Sequence, residues 1–342
     1  MKFGIFDHMD RAAVPLAQQY EDRLRLIEAY ERAGFYAYHI AEHHATPLGM
    51  APSPSVFLAA VAQRTTRLRF GPVVYPLAFH HPLRVAEEIC MLDHLSGGRL
   101  ELGVGRGASP HEMTYYGVDP ANAQAIYHEA FAILIEFMTS RSLTFAGKFY
   151  NFRDVPVEIE PLQRPHPPLW YGAAYPDGVV WPARNNVNVV CNGPAAAVRA
   201  ITDRYRAEWA AAGNDGANIP LMGMSRFIVI AERGHEAVAI ARRAYRQWYH
   251  GFFLLWAKHG TKPINAPYPD NFDDMQRTGL GVAGTAETVR DALIGQMAQA
   301  QNNYQICRFA FGDLTLEESL RSLDIFTRSV MPALAGMRDA AE

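Results

Sequence analysis

The sequence lacks the features that mark several large classes of protein. Its 342 residues include only 3 cysteines, which lie far apart without a CxxC pair, so a disulfide-stapled module is excluded. Lysine and arginine total 32 against 35 acidic residues, and the basic face of a nucleic-acid-binding protein is missing. No apolar run approaches the roughly 20 residues that span a membrane. The opening residues 1–7 read as a strand rather than a signal peptide, so we expect a cytoplasmic protein.

What the sequence does contain is a regular alternation of short apolar runs and amphipathic segments. Hydrophobic residues make up 49% of the chain, which is enough for a large core. The predicted strands are 3–6, 36–41, 68–74, 99–104, 169–172, 187–190, 222–230 and 304–311, with helical segments between them. Because no linker interrupts the alternation, it predicts a single (β/α)8 TIM-barrel domain over residues 1–342. A doubly wound sheet would need a glycine-rich turn after the first strand, and Asp7-His8-Met9-Asp10 offers none.

Two segments interrupt this alternation and are predicted to be insertions. Residues 141–168 combine short β-like pieces with many prolines, which is typical of a hairpin. Residues 251–281 are rich in proline, aspartate and asparagine, and we expect an irregular segment there. Because it starts with the apolar run Phe252-Phe253-Leu254-Leu255-Trp256, we interpret this second insertion as a lid over a bulky apolar substrate.

Polar side chains cluster after the predicted strands, where barrel enzymes carry their chemistry. His43 and His44 follow the second strand, while His8 and Asp10 follow the first. These four could converge on a metal ion, but adjacent residues of a strand point in opposite directions, so the pattern disfavours a metal site. A histidine at this position can instead take up and release a proton near neutral pH. His43 is the expected base, with His44 as the alternate.

One charged residue is expected inside the barrel wall. In the fourth strand, Leu100, Leu102 and Val104 share one face, which leaves Glu101 on the other. A buried carboxylate needs a partner, and Arg69 on the neighbouring strand can supply it. We interpret this pair as structural.

Several motifs, taken in order, resemble the bacterial luciferase-like family of flavin-dependent monooxygenases. The resemblance covers residues 1 to about 335. The motifs are Ala41-Glu42-His43-His44, His81-Pro82, the run from Leu92 to Gly107, Gly284-Thr285-Ala286-Glu287, Arg308-Phe309-Ala310-Phe311-Gly312-Asp313 and Val330-Met331-Pro332-Ala333-Leu334.

The resemblance implies a (β/α)8 barrel that uses reduced FMN (FMNH2), or in some members the deazaflavin F420, and commonly forms a homodimer. It implies that His43 is the catalytic base and Arg106 the phosphate arginine, and that a non-proline cis peptide at Val73-Val74 underlies the flavin ring. The loop that contains Ala173, Ala174, Tyr175 and Gly178 would complete the phosphate cradle. This loop is also expected to lead into a helix, and the free backbone N–H groups and positive dipole end of a helix N-terminus can bind an anion.

The chain departs from the family pattern at two places. Many members have serine where this chain has Ala174 and Gly178, so we expect weaker anchoring of the phosphate. The reactive cysteine of the luciferases corresponds to Gly105. Three functions stay open: an FMNH2- and O2-dependent monooxygenase of a small apolar organic substrate, served by a separate reductase; an F420-dependent hydride-transfer oxidoreductase; and a flavin-binding barrel without turnover.

Overall fold

The computed structural model describes residues 1–263, 266 and 268–336, and within them it consists of parallel strands surrounded by helices. The strands are β1 Lys2–Asp7, β2 Ala37–Ile40, β3 Arg69–Pro72, β4 Tyr75–Pro76, β5 Leu102–Gly105, β6 Ser142–Ala146, β7 Asn151–Pro156, β8 Leu169–Gly172, β9 Asn188–Cys191, β10 Met222–Ile230, β11 Gly281–Gly284 and β12 Tyr304–Arg308. The α-helices are α1 Leu16–Arg32, α2 Pro54–Arg64, α3 Pro82–Leu95, α4 Pro110–Tyr115, α5 Ala123–Thr139, α6 Val180–Arg184, α7 Ala195–Ala211, α8 Gly234–Lys258, α9 Phe272–Arg277, α10 Ala286–Ala300, α11 Leu316–Ile325 and α12 Met331–Ala335.

The wall strands confirm the predicted barrel. They follow one another in the order β3-β2-β1-β12-β10-β9-β8-β5, all in parallel pairs. A bridge between Phe70 and Leu100 joins the two ends of this row, so the wall closes. The short β11, which the sequence did not reveal, lies beside β10. None of the helices described in these residues is long and apolar enough to cross a membrane.

The alternation of side chains along β1 shows how the wall separates two cores. Phe3 and Ile5 pack outward into the large cluster under the helices, whereas Phe6 belongs to the cluster inside the barrel. Gly4 leaves room for Tyr304, because a Cβ at position 4 would lie 1.6 Å from the Tyr304 hydroxyl oxygen. The wall therefore carries small residues where large interior side chains cross the barrel.

The structural role predicted for Glu101 is confirmed. Its buried carboxylate accepts a hydrogen bond from Arg69 Nε, as the sequence indicates, and another from the Tyr36 hydroxyl at 2.7 Å. The Trp170 indole donates to its second oxygen. These partners compensate the buried charge far from the barrel mouth.

The two predicted insertions have different outcomes. Strands β6 and β7 form the expected antiparallel hairpin within residues 141–168. The prediction of an irregular segment over 251–281 is wrong, because α8 continues to Lys258 and α9 and β11 follow. Gly251 does not end the helix, since its carbonyl accepts a hydrogen bond from Thr46 Oγ1 at 2.6 Å and Phe252 stacks on Trp248. Ile264, Asn265 and Pro267 of the predicted lid lie outside the described residues.

Candidate active site

A cavity of about 720 Å³ opens at the carboxyl ends of the wall strands. Backbone and side chains from the ends of β1, β2, β3, β5, β8, β9 and β12 form its wall, as expected for the functional end of a barrel. Much of the lining is apolar or small. The predicted site residues on the wall are His43, Val73, Val74, Ala173, Ala174 and Tyr175. The predicted residues His44, Arg106 and Gly178 lie outside this lining.

His43 lies on the cavity wall with one ring nitrogen held by a carboxylate. Its Nδ1 lies 3.1 Å from Oε1 of Glu112, whose side chain is only 4% exposed. The same oxygen accepts the backbone N–H of His44 at 3.2 Å. Because the carboxylate favours a proton on Nδ1, Nε2 of His43 is left as the basic nitrogen. The arrangement can accept a proton from a molecule in the cavity and stabilise the resulting imidazolium.

Sequence reasoning missed Glu112, which the short helix α4 supplies. Pro110 occupies the first turn of α4, and Ser109 caps it by accepting the Glu112 N–H at 3.3 Å. The pattern Ser-Pro-x-Glu is a helix-start signal that could have revealed α4. The pairing with His43 could not be read locally, since 69 residues separate the two.

His44 turns away from the cavity into a buried network. Its Nε2 lies 2.9 Å from Glu42 Oε1, and its Nδ1 lies 2.7 Å from the Tyr116 hydroxyl. His80 Nε2 also donates to Glu42, at 2.9 Å. The predicted divergence of the two adjacent histidines is thus observed. Both nitrogens of His44 already have partners, which favours His43 as the base.

The wall at Val73 and Val74 has the backbone form that the family resemblance implies, since the peptide bond between these residues is cis. Gly105 on β5 packs against this step. A Cβ at position 105 would lie 2.8 Å from Val74 Cγ2, which is closer than van der Waals contact allows. The packing therefore gives a reason for glycine at the position of the luciferase cysteine.

Arg106 lies exposed at the rim, beside the cavity. Its Nε donates a long hydrogen bond of 3.3 Å to the neighbouring Gly107 carbonyl. Gly107 itself lines the cavity with φ of +96°, a conformation that favours glycine. The guanidinium of Arg106 remains able to turn toward an anion at the rim.

The loop after β8 offers fewer anion donors than the sequence indicates. The helix predicted from about residue 177 is instead a 3-10 turn, Pro176–Val179, followed by the five-residue α6. The N–H of Ala173 bonds to the Val190 carbonyl, and the N–H of Gly178 bonds to the Tyr175 carbonyl. Pro176 has no N–H. Anchoring by this loop therefore depends on few backbone groups.

His8 also lines the cavity, but its role in hydrogen bonding is the opposite of that of His43. Burial lowers the pKa of His8 well below its ordinary value, and the charges of Arg308 and His43 lower it further. The Trp248 indole N–H, which can only donate, lies 3.3 Å from His8 Nδ1. The neutral ring must therefore carry its proton on Nε2. His8 can donate a hydrogen bond from Nε2, whereas His43 can accept one.

Phe252 on α8 and Tyr268 contribute aromatic surface to the cavity lining. Their ring centroids lie 5.3 Å apart in an edge-to-face contact. Trp256 packs against His111 and does not line the cavity. Within the described residues, no group of three or more His, Cys, Asp or Glu side chains could hold a metal ion.

The chain is similar in sequence and in fold to known monooxygenases. Residues 1–303 match the family model described as luciferase-like monooxygenase. The chain is 46% identical over 320 residues to the protein y4wF of Sinorhizobium fredii, covering 94% of this chain and 93% of that one. It is 26% identical to the oxygenase component of flavin-dependent trigonelline monooxygenase of Acinetobacter baylyi, covering 98% and 96%. The crystal structure of the monooxygenase RslO1 from Streptomyces bottropensis superposes with a TM-score of 0.87 and 27% identity, covering 98% and 100%.

Proposed function

Because the chain belongs to the luciferase-like monooxygenase family, we propose that it is the oxygenase of a two-component system. It would use FMNH2 and O2 to oxygenate a small, largely apolar organic molecule. The observation that carries this proposal is the His43–Glu112 pair, which lines the same largely apolar cavity as Val73 and Val74. An apolar wall can support a planar redox cofactor, and a proton acceptor in the same cavity can act on the substrate.

The residues at the mouth fit a flavin. Val73 and Val74 would support one face of the ring, and the small residues Gly107 and Ala174 leave room beside it. Arg106 would hold the phosphate at the rim together with the cavity-lining loop residues Ala173, Ala174 and Tyr175. When bound, the reduced flavin supplies the electrons that activate O2. The phosphate cradle has few donors, which supports a flavin that is delivered in reduced form and then released.

Two histidines of the cavity have complementary roles in proton transfer and hydrogen bonding. His43 accepts a proton at Nε2 while Glu112 fixes its ring and stabilises the positive charge. His8 donates a hydrogen bond from Nε2 because Trp248 occupies its other nitrogen. Phe252 and Tyr268 exclude water above these groups, which suppresses wasteful release of hydrogen peroxide.

Further expectations concern how the protein works in the cell. We propose that a separate reductase supplies the reduced flavin, because the sequence has no nicotinamide-binding fingerprint after its first strand. We also propose a homodimer, on the family resemblance. All three cysteines are free and buried, which supports a cytoplasmic location.

Anaerobic titration of the purified protein with oxidised FMN, dithionite-reduced FMN and F420 tests the proposal. Tryptophan fluorescence would follow binding. We expect saturation by one reduced FMN per chain and weaker binding of oxidised FMN. Binding of F420 alone would indicate a hydride-transfer enzyme instead, and binding of none of the three would overturn a flavin function altogether.

A further inference from the structure

Arg308, the last residue of β12, presents a buried guanidinium to the cavity. The residue is only 2% exposed and belongs to the cavity lining. Its guanidinium carbon lies 4.5 Å from the ring centroid of Phe6 and 4.5 Å from that of Phe227. The two aromatic faces hold the guanidinium in place without neutralising its charge.

Within the described part of the chain, no carboxylate pairs with the Arg308 guanidinium. Its Nε donates to Ser225 Oγ at 2.8 Å, and its Nη2 donates to Asn192 Oδ1 at 3.0 Å. Both acceptors are neutral. The third nitrogen, Nη1, is buried and has no hydrogen-bond partner in the described part of the chain. A buried cation is costly unless an anion pairs with it, so this orphaned donor indicates a missing partner.

Three acidic side chains near the barrel mouth are already engaged with other residues. Asp7 pairs with Arg23 at 3.1 Å, while Glu42 and Glu112 hold histidines. Arg226, which is near enough to feel the charge of Arg308, is itself a cationic side chain. Burial and then the charge of Arg308 lower the pKa of Arg226 to about 9. Arg308 and Arg226 therefore place two cationic side chains near each other on this side of the barrel.

We propose that Arg308 binds the anionic group of the substrate, and that this substrate is a small organic acid with a carboxylate and an apolar body. The inference rests on the proposed function for its account of the rest of the cavity. A carboxylate would accept a hydrogen bond from Nη1, which has no partner among the described residues.

The position of Arg308 favours the substrate over the flavin as the source of the anion. The expected flavin wall and phosphate rim lie at the ends of β3, β5 and β8. In the strand order, β2 and β1 separate β3 from β12, and β9 and β10 separate β8 from it. Arg308 thus faces Val73 and Val74 from across the mouth, where a substrate would meet the exposed face of the ring. Phe6 and Phe252 supply apolar surface for its body.

Calorimetry with benzoate and octanoate, each paired with its neutral amide, tests this inference on the whole wild-type protein. We expect at least one acid to bind about 10- to 100-fold more tightly than its amide, the range of a charge-assisted hydrogen bond. Arg308→Met should abolish that preference, and Arg308→Lys should retain part of it. The control is Arg153→Met, which removes an arginine that is 93% exposed on the hairpin.

The outcomes separate this inference from the proposed function. Failure of both acids to bind wild type in preference to their amides, even with reduced FMN bound, would overturn the inference. So would a carboxylate preference that survives Arg308→Met. If Arg308→Met weakens reduced FMN and leaves carboxylate binding intact, the anion belongs to the flavin. If carboxylates bind but reduced FMN does not, the inference stands and the proposed flavin function fails.

Discussion

Glu112 Oε1 lies 3.1 Å from His43 Nδ1 and 3.2 Å from the backbone nitrogen of His44, so one carboxylate holds both the imidazole of His43 and the chain that follows it. This shared contact orients the His43 ring at the cavity wall. The proton transfer that we propose for His43 would therefore depend on a residue from another part of the barrel.

His43→Ala should leave the fold and the affinity for reduced FMN nearly unchanged. Product formation should fall by about 10²- to 10⁴-fold, the usual contribution of a positioned base. Peroxide release should rise, because oxygen is still reduced without productive proton transfer. Coupled assays of product and peroxide would measure both effects.

The matched control is His44→Ala, which removes a ring that Glu42 and Tyr116 already engage. Its main effect should be a lower melting temperature, since buried hydrogen bonds are lost, with a much smaller effect on product formation. A large loss of turnover in the His44 variant and a small one in the His43 variant would reverse the assignment.

Glu112→Gln should lower kcat by about 10- to 100-fold while changing the KM for substrate little, because a charged hydrogen-bond partner becomes neutral. The double variant with His43→Ala should be no slower than His43→Ala alone. Additive losses in this cycle would show that Glu112 acts independently of His43.

Gly105→Ala should destabilise the protein by about 1–3 kcal/mol and weaken the binding of reduced FMN, because the new methyl group would displace Val74. Denaturant unfolding and fluorescence titration would measure the two effects. Val74→Ala in the same chain should restore much of the loss, since it removes the clashing Cγ2. A Gly105→Ala variant with unchanged stability and affinity would contradict the packing account.

The protein should purify largely colourless, because few donors hold the phosphate. Ala174→Ser should tighten FMN binding and Arg106→Ala should weaken it, each by about 10- to 100-fold if the hydrogen bond is charge-assisted. Gly178→Ser is the control, since that residue lies outside the cavity lining and its N–H is already bonded. A tightly held yellow cofactor at one per chain after gel filtration would contradict weak anchoring.

Stability should fall in mild acid partly through His39. Burial lowers the pKa of His39 from 6.5 to about 3. Between these values the unfolded chain binds a proton that the folded chain does not. The free energy of unfolding therefore decreases as the pH falls, by up to about 1.4 kcal/mol per pH unit from this group. Above pH 6.5 the contribution is constant.

Urea unfolding of wild type and His39→Gln from pH 4 to 7 would isolate this effect. Glutamine can keep the hydrogen bond to Tyr304, which His39 Nε2 makes at 3.0 Å, without titrating. The free energies of unfolding of the two proteins should differ less at pH 4 than at pH 7. Other buried groups such as Asp10 act equally in both proteins. Exposed His128→Gln is the control, and an identical slope in wild type and His39→Gln would contradict the account.

Much of this fold could be predicted from sequence because each wall strand is a short apolar run followed by an amphipathic helix. The pairing of Glu101 with Arg69 was also predictable, since the alternation of one strand leaves the carboxylate inside. The continuation of α8 was not, because the Gly251 carbonyl makes a tertiary hydrogen bond with Thr46, which no local pattern specifies.

The site was predictable only where the sequence places residues directly after strands. His43 and the Val73-Val74 step follow strand ends, and both reach the cavity. Glu112 and the neutral tautomer of His8 depend on contacts across 69 and 240 residues, which no local pattern specifies. The unpaired charge of Arg308 likewise becomes visible only when all of its neighbours are known.

The most direct test of the account is the fate of oxygen in a reaction under ¹⁸O₂. The protein, FMN, NADH and a flavin reductase would be incubated with small carboxylic acids and their amides, and the products examined by mass spectrometry. The account predicts an acid that gains one ¹⁸O atom from O₂, with His43→Ala yielding peroxide in its place. Turnover that requires F420 and incorporates no label would contradict it.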